Sequence, residues 1–160
     1  MSDREVRFAK AGEALASIRR RNRSPDEGGA GCPILVEGRS DESTLRALGF
    51  RGPIEKVNRG WDRARLVAYL HETWGTRNPV DGGAVLVLLM DWDRTGGRIQ
   101  HALASRLTSF DMKLDLETRM ELARAMKPEG RCVEDMHPHA EALLPHIDAA
   151  DPDGVSLADE

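Results

Sequence analysis

The sequence lacks any run of about 18 consecutive apolar residues, the length that a helix needs to cross a membrane. Its N-terminus also lacks the apolar centre of a secretory signal peptide. We therefore expect a soluble, cytoplasmic protein with no membrane partner. With 160 residues, the chain is long enough to bury a core and is predicted to form one domain.

Cysteine is scarce, since the chain contains only Cys32 and Cys132. The two positions match no common spacing of metal-binding cysteines, which argues against a zinc site. We interpret both as structural thiols that open short strands, and a disulfide between them is the alternative.

The chain also has no excess of positive charge, because its formal net charge is −4 at pH 7. This charge does not favour a protein that coats nucleic acid non-specifically, so any contact with nucleic acid has to be local. Nearly all basic residues are arginine, whose guanidinium binds phosphate with two parallel hydrogen bonds wherever several converge.

The most informative stretch is an apolar run, Val85 to Met90, that stops at Asp91 and Asp93. Six apolar residues in succession are typical of a strand covered on both faces, and the carboxyl edge of a parallel sheet is where ligands bind. Two carboxylates this close repel each other, and a divalent cation such as Mg²⁺ relieves the repulsion. The alternative is that Asp91 ends the strand and Asp93 caps the next helix.

Three other predicted strands, one of them weaker, also end on polar residues. They are Cys32 to Val36 before Glu37, Pro53 to Val57 before Asn58-Arg59, and Arg131 to Val133 before Glu134-Asp135. Amphipathic helices are predicted before and between these strands, with an extra helix over Leu114 to Met126. The pattern predicts an α/β fold: a Rossmann-like sheet of about four parallel strands with helices on both faces.

Within this single fold, the sequence divides into three segments. Residues 1–31 are predicted to form an N-terminal helix and loop that pack on the domain, and residues 32–148 form the α/β domain itself. Residues 149–160 are small and acidic, and we expect a flexible acidic tail there.

Several basic positions have two interpretations each. Arginines at the end of the first helix either cap a solvated helix terminus or bind phosphate, and Arg59 is either a phosphate contact or an exposed turn residue. His137 and His139 are either metal ligands or exposed turn histidines. Gly96 and Gly97 leave the first amides of their helix open, which favours an anion there. The arginines at the end of the first helix are Arg19, Arg20, Arg21 and Arg23.

Two of these motifs together resemble the Toprim domain, the metal-binding module of topoisomerases, bacterial primases and several nucleases. They are Val36-Glu37-Gly38-Arg39-Ser40-Asp41 on the first strand and Met90-Asp91-Trp92-Asp93-Arg94-Thr95-Gly96 on the third. The resemblance covers Cys32 to Ala142 and is greatest to the small free-standing Toprim proteins of archaea and bacteria, where a turn like Val133-Glu134-Asp135 also follows the last strand. It implies a Toprim-like version of the α/β fold.

The resemblance implies roles for individual residues. Glu37 is implied as a general acid or base and metal ligand, and Asp91 and Asp93 as catalytic ligands of Mg²⁺, which Mn²⁺ can replace. Phosphate or nucleic-acid contacts fall to Arg39, Arg59, Arg94 and Gly96. Thr95 stands where topoisomerases usually have a glutamate, and the single tyrosine, Tyr69, is predicted within a helix, so strand passage by this chain is set aside.

The expected function is therefore Mg²⁺-dependent chemistry on RNA or DNA phosphodiesters: nuclease action, nucleotidyl transfer or RNA processing. A non-catalytic module that uses Mg²⁺ to bind a nucleotide, nucleic acid or protein partner is the alternative. A third hypothesis is a phosphatase of the haloacid dehalogenase type, with Asp91 as the nucleophile. That family carries its aspartates on the first strand of the core, whereas here they follow the third.

Overall fold

The computed structural model describes residues 1–158 and contains one sheet of four parallel strands. The strands are β1 (Ile34–Val36), β2 (Ile54–Lys56), β3 (Leu86–Leu88) and β4 (Leu114–Asp115), in the spatial order β2-β1-β3-β4. All residues of β1 and β3 are buried, as expected of central strands covered on both faces. The predicted α/β fold with a four-stranded parallel sheet is confirmed.

Within residues 1–158 there are seven α-helices, and six of them cover the sheet in two layers. Ile34 and Val36 face one layer and Leu35 faces the other, because successive side chains of a strand point to opposite faces. The first layer contains α1, α2, α5 and α6, and the second contains α3 and α4. The helices are α1 (Asp3–Asn22), α2 (Arg39–Ala47), α3 (Arg63–Trp74), α4 (Arg94–Ser109), α5 (Glu117–Met126), α6 (Ala140–Ala150) and α7 (Pro152–Ala158). None of the helices in residues 1–158 is long and apolar enough to cross a membrane.

The fourth strand lies elsewhere in the chain than predicted. Leu114 and Asp115 pair with β3, whereas the segment from Arg131 to Val133 forms no strand and leads into a 3₁₀ helix, Val133–His139. The sequence predicts a helix that includes Leu114, because this residue matches the apolar spacing of α5. Asp115 instead caps that helix, since its carboxylate accepts the amides of Glu117 and Thr118.

The C-terminal segment is helical and anchored where a flexible tail was expected. Helix α6 continues to Ala150, and Asp151 is 1% exposed. Its carboxylate accepts hydrogen bonds from Arg19 Nε at 2.7 Å and from Arg23 Nη1 at 2.6 Å. Neither interpretation of the arginines at the end of α1 is therefore correct for Arg19 and Arg23, because both are buried structural partners. Residues 159 and 160 of the predicted tail lie outside the described residues.

The two cysteines are free thiols, as predicted. Burial raises the pKa of Cys32 to about 11 and that of Cys132 to about 12. Both side chains are therefore neutral thiols at neutral pH, which agrees with a structural role.

Candidate functional site

The site lies between the two central strands, β1 and β3. At this point the order in which successive strands are added to the sheet changes direction. From β1 the chain passes to β2 on one side, and from β2 it crosses back to β3 on the other. Helices therefore leave these two strand ends in opposite directions and open a crevice at the carboxyl edge. Glu37 follows β1 and Asp91 lies three residues beyond β3, so the crevice brings them together.

Glu37 and Asp91 are in direct contact. The backbone amide of Asp91 donates a hydrogen bond to Glu37 Oε2 at 2.7 Å. The carbonyl of Glu37 accepts the amide of Asn58 at 2.9 Å, which ties the turn after β2 to the same place. Three strand ends are thus connected through Glu37.

The Asp91 carboxyl group is an unusual acid. Its Oδ1 is buried and has no hydrogen-bond partner within residues 1–158. The pKa of Asp91 is raised to about 8, first of all by burial. A hydrogen bond between its protonated form and Glu37 and repulsion by the charge of Glu37 raise it further. Asp41 and Asp93 add smaller repulsions. The Glu37–Asp91 pair therefore holds a proton near neutral pH, and a bound cation can take the place of that proton.

Asp93 has a different role from Asp91. It is the N-cap of α4, and its Oδ1 accepts the amide of Gly96 at 2.6 Å. The interpretation of Asp93 as a helix cap is therefore correct for one of its two oxygens. Asp93 still contributes negative charge to the site, since it raises the pKa of Asp91.

The sequence predicts a free amide at Gly96 that could bind phosphate. In the structure this amide is not free, because it donates to Asp93 Oδ1. Gly96 is instead required by close approach: a Cβ atom there would lie 2.0 Å from the carbonyl oxygen of Asp91. At the adjacent Gly97, the nearest atom to a Cβ would be Arg119 Nη2 at 3.7 Å, an ordinary contact. Only Gly96 lets α4 begin directly beside Asp91.

This difference predicts opposite results for two alanine substitutions. Gly96→Ala should destabilise the protein by about 1–3 kcal/mol, because the methyl group forces the backbone of Asp91 to move. Gly97→Ala should be neutral or stabilise it by up to ~1 kcal/mol, since alanine favours the helix. Urea unfolding of both variants checks this. Equal stability of the two would contradict the close approach.

The three predicted arginines fall into two groups. Arg39 and Arg94 begin α2 and α4, are exposed, and form no ion pair with any part of the chain in residues 1–158. Arg59 is held in place: its Nη2 lies 3.2 Å from Glu55 Oε1, and its guanidinium lies over the rings of Trp61 and Tyr69. Arg59 is therefore neither a simple phosphate contact nor an exposed turn residue.

Arg119 is a site residue that the sequence did not reveal. It reaches from α5 and donates hydrogen bonds from Nε to the carbonyl of Met90 at 3.0 Å and from Nη2 to that of Asp91 at 2.7 Å. Burial lowers its pKa, and the charges of Asp93, Glu37 and Asp91 oppose this effect. Arg119 fixes the backbone of the Asp91 turn and partly balances the acidic cluster. No local motif marks it, because its role depends on the packing of α5.

The acidic and histidine residues near the C-terminus do not complete the site. Asp135 Oδ2 accepts the amide of Arg131 at 2.8 Å, so its carboxylate stabilises the local turn. His137 is exposed, and His139 packs edge-on against Phe8 and contacts Arg4. Among the described residues, neither histidine belongs to a group of three or more side chains that could hold a metal ion.

The predicted set of three metal ligands does not form a preassembled cluster. Within residues 1–158, no group of three or more His, Cys, Asp or Glu side chains is arranged to hold a metal ion. The difference arises because Asp93 is turned towards the amide of Gly96. The structure therefore offers two carboxylates in contact, Glu37 and Asp91, with a third nearby.

Sequence relatives place the chain in a family. It is 32% identical over 105 residues to a UPF0292 protein of Pyrococcus horikoshii, covering 65% of this chain and 70% of the relative. A UPF0292 protein of Pyrococcus furiosus is 31% identical over 111 residues, covering 69% and 75%. The chain belongs to the UPF0292 family. No family model matches this UPF0292 sequence.

The identification of the chain as a Toprim protein is wrong on these findings, because the relatives that show the family are named UPF0292 proteins. A solved structure of a putative protein from Aquifex aeolicus superposes on this UPF0292 chain with a TM-score of 0.54 and 22% identity, covering 78% of this chain and 94% of the other. At that identity the likeness shows the α/β fold alone.

Proposed function

We propose that Glu37 and Asp91 bind Mg²⁺, or Mn²⁺ in its place, and that the site acts on nucleic-acid phosphodiesters. The observation that carries the proposal is the buried Oδ1 of Asp91, which has no partner within residues 1–158 and lies beside a second carboxyl group. A buried oxygen without a partner costs free energy. A cation at this point would supply the missing partner.

The donor set suits Mg²⁺. This ion is typically bound by one or two carboxylates together with waters and substrate phosphate oxygens, so it does not need a third protein ligand. Glu37 and Asp91 would provide two carboxylate donors, and Asp93 adds negative charge nearby. When bound, Mg²⁺ neutralises charge on a phosphoryl group and orients the attacking or leaving oxygen.

The protein groups have separate tasks in this proposal. Asp91 and Glu37 would hold the cation, and Glu37 would also take up or return the proton of the reacting oxygen. Arg119 keeps the Asp91 carbonyl in place through its hydrogen bond of 2.7 Å. Asp93 and Gly96 fix the start of α4 at the edge of the site.

The charge at the start of α3 and α4 supports a polyanionic substrate. Their first turns contain arginine and no acidic residue, whereas the first turns of α1, α2, α5, α6 and α7 contain Asp or Glu. A cation at a helix N-terminus interacts unfavourably with the helix dipole, a cost that the N-cap aspartates of these helices, Asp62 and Asp93, reduce. Bound phosphate at this edge would offset that cost.

A phosphatase with Asp91 as nucleophile is less consistent with the geometry. A nucleophilic carboxylate has to be ionised and accessible, whereas Asp91 has its pKa raised to about 8 and a buried Oδ1. The same carboxyl group fits the role of a metal ligand, because a cation favours its ionised form.

The test is cleavage of labelled single-stranded, double-stranded and structured RNA and DNA with Mg²⁺ or Mn²⁺. We expect Glu37→Gln to lower the cleavage rate by about 10²-fold or more, the typical contribution of a positioned acid or base. Glu141→Gln changes an exposed glutamate on α6 and is the matched control.

Two outcomes would contradict the enzymatic proposal. The first is an inert wild-type protein, and the second is a Glu37→Gln variant as active as Glu141→Gln. If an inert wild-type protein is nevertheless stabilised against heat by Mg²⁺, the site is a metal-dependent binding module.

A further inference from the structure

A group of aromatic and basic side chains borders the acidic pair on the side of β2. The turn after β2 is joined to Glu37, because the amide of Asn58 donates to the Glu37 carbonyl at 2.9 Å. The same turn continues through Gly60 to Trp61, one residue before the N-cap of α3. Gly60 has a φ of +78° and open space around the position of a Cβ atom. Asn58 and Gly60 are exposed, so this turn is open to solvent next to its backbone contact with Glu37.

Trp61 is held rigidly in this turn. Its ring packs edge-on against Tyr69 with centroids 5.2 Å apart, and the Arg59 guanidinium lies 4.8 Å from its centroid. Tyr69 and Arg59 are themselves fixed by Glu55, which is 6% exposed. Glu55 Oε2 accepts the Tyr69 hydroxyl at 2.8 Å, and Oε1 lies 3.2 Å from Arg59 Nη2. This buried carboxylate keeps the aromatic group ordered without a ligand.

The second layer of this group is basic and exposed. Arg65 stacks on Trp61, with its guanidinium carbon 4.2 Å from the ring centroid. Arg63, two residues before Arg65, is the first residue of α3. Both arginines are exposed, and neither forms an ion pair with the described residues 1–158. Two positive charges thus lie close to an indole ring, and the neighbouring Asp62 carboxylate accepts the backbone amide of Arg65 at 2.8 Å without an ion pair to either guanidinium.

A cavity of about 260 Å³ opens next to Trp61. Its lining includes the apolar side chains of Val57, Leu66 and Leu103 and the polar residues Asn58 and Asp62. A flat heterocycle suits such a space, because apolar walls cover its faces and polar groups meet its edge. The volume lies below the range of about 300–1000 Å³ that is usual for larger ligands.

We propose that the cleft beside Trp61 binds an unpaired base of a single-stranded nucleic acid, with Arg63 and Arg65 at the neighbouring phosphates. Aromatic rings that stack bases, combined with arginines along the backbone, are a general means of binding single strands. Arg65 covers the Trp61 ring in the free protein, so in this proposal the base takes its place and the released guanidinium binds phosphate. In a duplex the base is stacked and paired, so it cannot enter the cleft. The proposal rests on the proposed function in one respect: it names single strands as the substrate of the adjacent Glu37–Asp91 site.

The test measures binding of a fluorescein-labelled oligonucleotide by anisotropy, with EDTA present so that binding does not depend on the metal site. Single-stranded RNA, single-stranded DNA and the corresponding duplexes are compared. We expect the single strands to bind at least about tenfold more tightly than the duplexes, and Trp61→Ala to weaken single-strand binding by about tenfold or more. Trp61→Phe keeps an aromatic ring and should retain most of the affinity.

Three variants keep the test independent of folding and of catalysis. The double variant Arg63→Ala with Arg65→Ala alters only exposed side chains and should lose affinity and salt dependence. Arg124→Ala removes an exposed arginine of α5 and should bind like the wild type. Asp91→Asn should also bind normally in EDTA, even if it fails to cleave.

The proposal is overturned by any of three results. These are no measurable binding of single strands by the wild-type protein, equal affinity for single strands and duplexes, or an arginine double variant that binds as tightly as Arg124→Ala. Normal single-strand binding without any cleavage would instead contradict only the proposed catalytic activity.

Discussion

Replacing Asp91 by asparagine is expected to abolish metal-dependent cleavage and to stabilise the metal-free protein at alkaline pH. Loss of a ligand that holds the cation removes several kcal/mol of transition-state stabilisation, so the rate should fall by at least about 10²-fold. Asparagine keeps the shape of the side chain and carries no charge. The folded protein therefore no longer has to bury a carboxylate beside Glu37.

The raised pKa of Asp91 explains why Asp91→Asn should stabilise the metal-free protein at alkaline pH. The pKa of Asp91 is about 8 in the folded protein and 3.8 ordinarily. Between these values the folded state holds a proton that the unfolded chain has released, so wild-type stability falls as the pH rises from about 4 to about 8 and then levels off. Asp91→Asn lacks this loss, and its advantage should be complete above about pH 8.

Thermal melting across this pH range, with and without Mg²⁺, is the measurement. Mg²⁺ should stabilise the wild type most at the alkaline end, where no proton competes for the carboxylates, and should leave Asp91→Asn unchanged. Asp153→Asn changes an exposed aspartate and should follow the wild-type curve. A wild-type curve parallel to that of Asp91→Asn, with equal responses to Mg²⁺, would refute the assignment of this residue.

The largest loss of stability is expected for Asp151→Ala. This substitution leaves the Arg19 and Arg23 guanidinium groups buried without their shared carboxylate, and both side chains are at most 3% exposed. Breaking a buried ion pair from one side costs about 3–5 kcal/mol. That amount is a large part of the ~5–15 kcal/mol by which domains are usually stable.

Asp148→Ala is the matched control, because Asp148 also pairs with Arg19 but is 36% exposed at its side chain. An ion pair of this kind contributes less than about 1 kcal/mol. Urea unfolding of both variants separates the two effects. If the two free energies of unfolding differ by less than 1 kcal/mol, the buried pair has little influence on stability.

Strongly acidic pH should also destabilise the protein by protonating Asp151, which weakens its ion pairs with Arg19 and Arg23. Burial opposes ionisation of Asp151, but hydrogen bonds from Arg23 and Arg19 outweigh it, so the pKa of Asp151 is lowered. A lowered pKa in the folded state contributes stability that is present above the ordinary pKa and is lost as the pH falls through the folded value. Asp151→Ala should therefore be less sensitive to strongly acidic pH than the wild type.

The central part of the fold and the position of the site were predictable from the sequence. The apolar stretches before Glu37 and Asp91 are long enough to specify buried parallel strands, and parallel strands bring their carboxyl ends to one edge. The same physical rule explains why Glu37 and Asp91 meet. The family did not follow from two short motifs, since the relatives carry another name.

The errors share one cause, which is packing between segments distant in sequence. Leu114 follows a helical spacing, yet pairing with Leu86 makes it a strand. Arg119 and Asp151 act through partners 28 and 132 residues away, so no local pattern reveals them. Local spacing predicts elements, whereas tertiary contacts decide individual roles.

The contact between α1 and the far end of the chain also bears on the order of folding. Phe8, Leu15 and Ile18 on α1 share a core with Leu143 and Ile147 on α6, and Arg19 is paired with Asp151. During synthesis the N-terminal helix leaves the ribosome long before these partners exist. The part of its apolar face that packs on α6 therefore stays uncovered until α6 has emerged, so this layer of the domain closes only after that helix is synthesised.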